Sequence, residues 1–334
     1  MIACDGYLPV PTINREANVR PAMTSDSIDT TWTIVPQRYN QPASVISAAA
    51  LVIGTVSGGL LGLAAIRIFR SPWPAAASVA LFLSAPLVSD GLWRGGPLPL
   101  ELSIIAGWLL AMQLAVEKTA WWPSLCAGAL AGAGLYTRTG GVVTMPLLVI
   151  VSALAITQSD VTAARGRRIV ALVGAFLVAA IPLLIRYSVN PDVFRNLVLA
   201  HGLYDASRFN VLQGLREIFS WVGLVARTEV YYDFFNPALW FLSGASVREH
   251  VADPRAFVVP YLVLVPAGVY ALIKRRPSLA WLVLGAIAIA PVPVALLARR
   301  PAVSHLLPIA PLVTLLAVAG AQHLVSSPNV AVRR

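Results

Sequence analysis

The strongest constraint on this chain is its series of apolar runs, each about as long as a helix needs to cross a bilayer. They fall at about residues 43–66, 74–91, 99–116, 121–137, 141–158, 169–188, 258–273, 279–298 and 303–324. Lipid offers no water to an open backbone, so each run has to be helical. The expected fold is therefore an all-α polytopic membrane protein with about nine transmembrane helices. Composition agrees: 57% of the 334 residues are hydrophobic and only 12% are charged, about half the charged share of a soluble domain. Pro146, Pro182, Pro266, Pro291, Pro293, Pro308 and Pro311 lie within the runs, so their ends can shift by a few residues.

Four parts follow from this pattern. Residues 1–42 form a polar N-terminal segment, 43–188 a set of transmembrane helices, 189–257 a long polar interval, and 258–334 the last helices with a short tail. One set of loops carries Arg67 and Arg70, Lys118, Arg165 with Arg167 and Arg168, Lys274 with Arg275 and Arg276, and Arg333 with Arg334. The other set carries Arg94, Arg138, and Arg299 with Arg300. The richer set is expected on the cytoplasmic side, which puts residues 1–42 and the long loop outside. The net charge of +10 thus orients the chain and meets anionic lipid, and does not imply nucleic acid.

The segment 1–42 lacks the basic start and apolar core of a signal peptide. To lie outside, it would have to cross with nothing ahead of it. Some chains do this, and a first helix lost by truncation or by a misplaced start codon is at least as good an expectation. Cys4 and Cys126 give no disulfide framework, and Cys126 reads as a small packing residue. His201, His250, His305 and His323 are far apart, and no metal-ligand cluster or cofactor motif is evident. Trp73, Trp108, Trp121 and Trp122 read as interfacial or lipid-facing residues.

The long loop contains YYDFFNPALWFLSGASVREH, residues 231–250. Its aromatic density gains nothing from bulk water. It is either an interfacial aromatic anchor or the roof of a cavity. Three outer turns present arginine at the membrane boundary: LSAPLVSDGLWRGG with Arg94, GLYTRTGGVVTMPLL with Arg138, and ARRPAVSHLLPIAPL with Arg300 and His305. Such arginines either snorkel to head groups or bind a lipid-linked phosphate in bidentate fashion.

Taken in order, these motifs resemble the GT-C superfamily of integral membrane glycosyltransferases. The likeness is to the protein O-mannosyltransferase and aminoarabinose-transferase-like branch, glycosyltransferase family 39 and its relatives. It covers about residues 43–325. The tyrosine-rich stretch keeps Gly244 but has Ala245 where an aspartate is common. The resemblance implies transfer of a sugar from a polyprenyl-phosphate donor to an acceptor glycan, lipid or protein at the outer membrane face. It implies no metal. It further implies a carboxylate in the first outer loop as general base, with Asp5 the best fit by position and Asp26 and Asp29 as alternatives. The last two, in TSDSIDTT, equally suit a solvated turn or a helix cap. Arg94, Arg138, Arg300 and His305 would hold the leaving phosphate, Tyr231, Tyr232 and Asp233 would bound the donor sugar or acceptor, and His250 would order the loop. The expected location is a bacterial plasma membrane.

Two other classes fit the same outline. A transporter of a lipid-linked substrate would show repeats and mid-membrane acids, and neither is evident. A catalytically inactive scaffold or fragment would bind a partner through the outer loop.

Overall fold

The computed structural model describes residues 43–93, 100–137, 140–159, 164–190, 219–242, 256–296 and 303–326. Among them there is no strand. The helices are α1 (Ala43–Phe69), α2 (Pro72–Ser84), α3 (Pro86–Trp93), α4 (Leu100–Glu117), α5 (Trp122–Gly134), α6 (Gly141–Thr157), α7 (Arg165–Val189), α8 (Trp221–Asp233), α9 (Tyr261–Arg275), α10 (Pro277–Ile289), α11 (Val292–Leu296) and α12 (Ala310–Ser326). A π-helical turn at Ala238–Leu242 and a 3₁₀ segment at Val303–Ile309 complete the order.

Five helical stretches are long and apolar enough to cross a membrane: Ala48–Phe69, Leu100–Glu117, Arg165–Val189, Pro277–Leu296 and His305–Ser326. Two more helices, Pro72–Ser84 and Gly141–Thr157, are apolar but shorter. Proline explains much of the shortening. The run expected at 74–91 breaks between α2 and α3 at Ala85, which takes an extended ψ of 123°. The residue before a proline is pushed out of the helical region, and Pro86 has no N–H to continue the ladder. Pro291 and Pro293 likewise divide α10 from α11. At the other end of the bundle Arg70 adopts φ 52°, a left-handed residue that ends α1 and turns the chain toward Pro72.

Backbones approach closely where glycine allows it. Helices α9 and α12 run parallel, from the Tyr261–Thr314 contact to the Tyr270–His323 contact. Between these lie Gly268 and Gly320: a β-carbon at Gly268 would overlap the Leu316 carbonyl, and one at Gly320 would overlap that of Leu264. Gly128 and Gly132 on α5 do the same against Leu172 and Ala179 of α7. Such small-residue seams are how helices associate where lipid removes the hydrophobic drive.

The core also holds a few polar couples. Trp108 is wholly buried, and its indole N–H donates to Ser152 Oγ at 3.0 Å, which in turn donates to Leu148 O. The expectation of a lipid-facing Trp108 is thereby corrected: its N–H has a partner on α6, so the ring packs inward. Trp73, Trp121 and Trp122 are exposed as expected. Cys126, expected to pack inside, is exposed on α5, because Gly128 and Gly132 take the close contact with α7 instead.

Helix ends that flank the two loop sets pack together at opposite ends of the bundle among the described residues. At one end the buried guanidinium of Arg168 donates to Ala115 O at 2.7 Å and Lys118 O at 3.3 Å, closing carbonyls that the end of α4 leaves open. Arg165 donates to Ser159 O, Ser278 to Gln158 O, and Arg276 pairs with Glu117. At the other end Leu87 N donates to Ala256 O, and Gly140 meets Pro293.

A branched side chain at the α9–α12 crossing should be costly. Gly268→Val is expected to destabilise the protein by about 3 kcal/mol or more, read as thermal unfolding in detergent. Gly174→Ala, with no atom within 4 Å of the added carbon, should be neutral or stabilising by up to about 1 kcal/mol. Equal melting of the two variants would contradict the packing.

Candidate functional site

Helix α8 lies within the polar interval of the sequence, where no helix was expected. Ser220 starts it as N-cap, with extended backbone and an Oγ that accepts from Gly223 N at 3.1 Å. Leu224, Arg227, Thr228, Tyr231 and Tyr232 then recur at helical spacing on one face. That face and Val292, Ala295 and Leu296 of α11 enclose an open hollow of about 250 Å³. Below it Val230 packs on Val294 and Ala295, which fixes the distance between the two helices.

Tyr231 ties α8 to the bundle. Its hydroxyl donates to Ala288 O at 2.9 Å, in the last turn of α10, where carbonyls have no intrahelical donor. Burial pushes this phenol above the usual tyrosine value of about 10, and Tyr232 adds to the shift. The neutral donor is therefore favoured in the folded state. Its contribution is fully present below about pH 10 and is lost as pH rises through the raised value.

Arg227 supplies the positive charge of the hollow. Its Nη1 donates to Gly223 O at 3.1 Å, while its buried Nε has no acceptor among the described residues. The site is thus a shallow, largely apolar space with one guanidinium, one threonine hydroxyl and two tyrosines at its rim. This chemistry suits an amphipathic anion better than a small polar metabolite. Among the described residues no group of three or more histidine, cysteine or acidic side chains could hold a metal ion.

An aromatic chain continues from the hollow into the core. Tyr231 meets Phe235 at 5.5 Å between ring centres, and Phe235 meets Phe234 and Trp240. Trp240 meets Phe257, and Phe257 meets Tyr261 at 5.3 Å. Trp240 Nε1 donates to Phe234 O at 2.7 Å, and Asn236 Oδ1 accepts from Ala238 N, which sets the π-helical turn after Pro237. Phe234 and Phe257 are fully buried. Within 231–241, Phe234 and Phe241 belong to the core and Phe235, Leu239 and Trp240 pack against it, while Asn236, Pro237 and Ala238 are exposed; only Tyr231 and Tyr232 reach the hollow.

Of the residues singled out in the sequence, Tyr231 and Tyr232 come together at the hollow. Asp233 ends the same helix but does not line it. His305 is half-buried in the 3₁₀ segment, which packs against α3 and α4, and does not line it either. Asp5, Asp26, Asp29, Arg94, Arg138, Arg300 and His250 lie outside the described residues. The sequence reading missed Arg227. A signal existed: in WVGLVARTEVYYD a lone arginine precedes the tyrosine pair by four and five residues, which is one face of a helix.

Removing the Tyr231 hydroxyl should loosen α8 without unfolding the bundle. Tyr231→Phe is expected to speed amide exchange in residues 221–233 by about three- to tenfold, the worth of one hydrogen bond, with α4 and α12 unchanged. Uniform acceleration across all helices, or none at all, would contradict the tether. Comparison of the chain with models of known families, with curated proteins and with solved structures finds no match.

Proposed function

We propose that this protein is a membrane glycosyltransferase that moves a sugar from a polyprenyl-phosphate donor to an acceptor at the outer membrane face. The observation that carries the reading is the hollow between α8 and α11. It pairs an apolar wall of Leu224, Val292, Ala295 and Leu296 with Arg227, Thr228, Tyr231 and Tyr232. A lipid-linked phosphate has the same two-sided chemistry. The order of sequence motifs that resembles the GT-C superfamily supports the same conclusion.

In this reading the chain crosses a bacterial plasma membrane about nine times, with residues 189–257 on the outer side. The acceptor's hydroxyl or amine attacks the anomeric carbon in line. The bond from that carbon to the phosphate oxygen breaks, and the electron pair leaves with polyprenyl phosphate. Arg227 holds the phosphate as its charge grows, helped by Arg94, Arg138 and Arg300; His305, outside the hollow, keeps no direct part. Asp5, with Asp26 and Asp29 as alternatives, takes the acceptor's proton. Tyr231 and Tyr232 bound the sugar, Asp233 backs them from the end of α8, and His250 orders the loop beyond.

The test is transfer of radiolabelled sugar from polyprenyl phosphate by the full chain in membranes. Arg227→Gln should lower turnover about 100-fold, as loss of one group stabilising developing charge does, and Arg227→Lys should recover part of it. Asp5→Asn, Asp26→Asn or Asp29→Asn should abolish transfer while donor binding persists. Donor bound but never transferred by the unaltered chain would mark a scaffold. Labelled donor carried across sealed vesicles without transfer would mark a transporter. Either outcome overturns the proposal.

A further inference from the structure

At the end of the bundle opposite the hollow, α9 and α12 present a second polar cluster. Lys274 Nζ stands 4.6 Å from the centre of the Tyr270 ring, and the His323 ring lies 5.6 Å from it on the other helix. His323 Nδ1 and Gln322 Oε1 are buried and have no hydrogen-bond partner among the described residues. Lys274 is exposed, as is Arg275 beside it. The nearby carboxylate, Glu117, is taken by Arg276. A cation and an imidazole thus converge on one aromatic ring, and His323 Nδ1 has no partner among the described residues.

What surrounds the cluster decides what fills it. Val263, Pro266, Tyr270 and Lys274 follow one another on the exposed face of α9, and Leu324 and Val325 are exposed on the last turn of α12. An apolar flank therefore runs up to the charged group along α9, beside α12, which belongs to a stretch long and apolar enough to cross a membrane. A soluble anion would use only the head of this arrangement. A phospholipid uses both parts: acyl chains along Val263 and Pro266, and the phosphate against Lys274 and His323.

We propose that Tyr270, Lys274 and His323 form a binding site for the head group of an anionic phospholipid, seated across the ends of α9 and α12. The lysine ammonium faces the phosphate oxygens, with the Tyr270 ring beneath it limiting its rotation. The His323 ring, on the same tyrosine from α12, is the second polar group beside the phosphate. The lipid joins two helices whose backbones already touch at Gly268 and Gly320, so its binding stabilises that pair by mass action.

Native mass spectrometry of the full chain, released from nanodiscs of mixed phosphatidylglycerol and phosphatidylcholine, tests this. The unaltered protein should retain phosphatidylglycerol in preference to phosphatidylcholine. Lys274→Gln should reduce that preference about fivefold, the usual weight of one basic residue near a membrane surface. His323→Leu should reduce it further, and Arg67→Gln, a basic residue elsewhere on the bundle, should leave it unchanged. Wild-type preference in Lys274→Gln overturns the proposal. So does an equal loss in Arg67→Gln, which would mean that general surface charge attracts the lipid. Inorganic phosphate that binds as tightly as the lipid and displaces it would also overturn it, in favour of a soluble ion. Both altered residues lie at the helix rim, and the helical melting transition of each variant confirms that it folds.

Discussion

The backbone contact of α9 with α12 joins features found at both ends of the bundle. Two parallel helices can touch backbone to backbone only where neither carries a side chain, and Gly268 and Gly320 supply that on facing turns. From this crossing the pair extends in two directions. One leads to Tyr261, whose hydroxyl reaches Leu81 O and Thr314, and on through the aromatic chain to the hollow. The other leads to Tyr270 and His323 at the far rim. Lipid solvates apolar side chains as well as a protein interior does, so it is this close fit, and not burial from water, that holds the helices together.

Backbone satisfaction is the second requirement, and it shows where the ladders stop. Arg168 closes the end of α4, Tyr231 takes a carbonyl at the end of α10, and Trp240 takes one at Phe234. These long side chains all reach to a carbonyl at or just beyond the end of a helix. In a membrane an unpaired carbonyl costs several kcal/mol. The ends of broken helices are therefore where polar side chains have to gather, and the hollow forms beside two such ends. Prolines 291 and 293 divide α10 from α11 and so create one wall of it.

Helix content was legible in the sequence because hydrophobic length is a direct physical requirement of the bilayer. Where the expected helices broke, the prolines had marked the places: the division at Ala85 follows from Pro86. Tertiary packing was less legible. The spacing of Gly128 and Gly132 was visible, yet which helix they meet depends on a contact with α7 some forty residues on. Trp108 looked like a belt residue because its partner, Ser152, lies far along the chain. At the hollow, the tyrosine pair stood out in the sequence through its aromatic neighbours, but Arg227 did not. A single arginine among Val, Leu and Ala reads as snorkelling until α8 is known to be a helix and α11 to lie opposite it.

The two polar clusters of the bundle differ in a way that bears on what each can do. Arg227 and the tyrosines sit in a concave space with a helix on either side, so a ligand placed there would be held on two faces. Lys274 and His323 lie on a rim, with Tyr270 half-exposed, and a ligand there is held on one side only. Such a site can bind and brace but cannot exclude water from a reacting bond. The aromatic chain from Tyr231 to Tyr261 connects the hollow to α9, and α9 carries Lys274 at its other end.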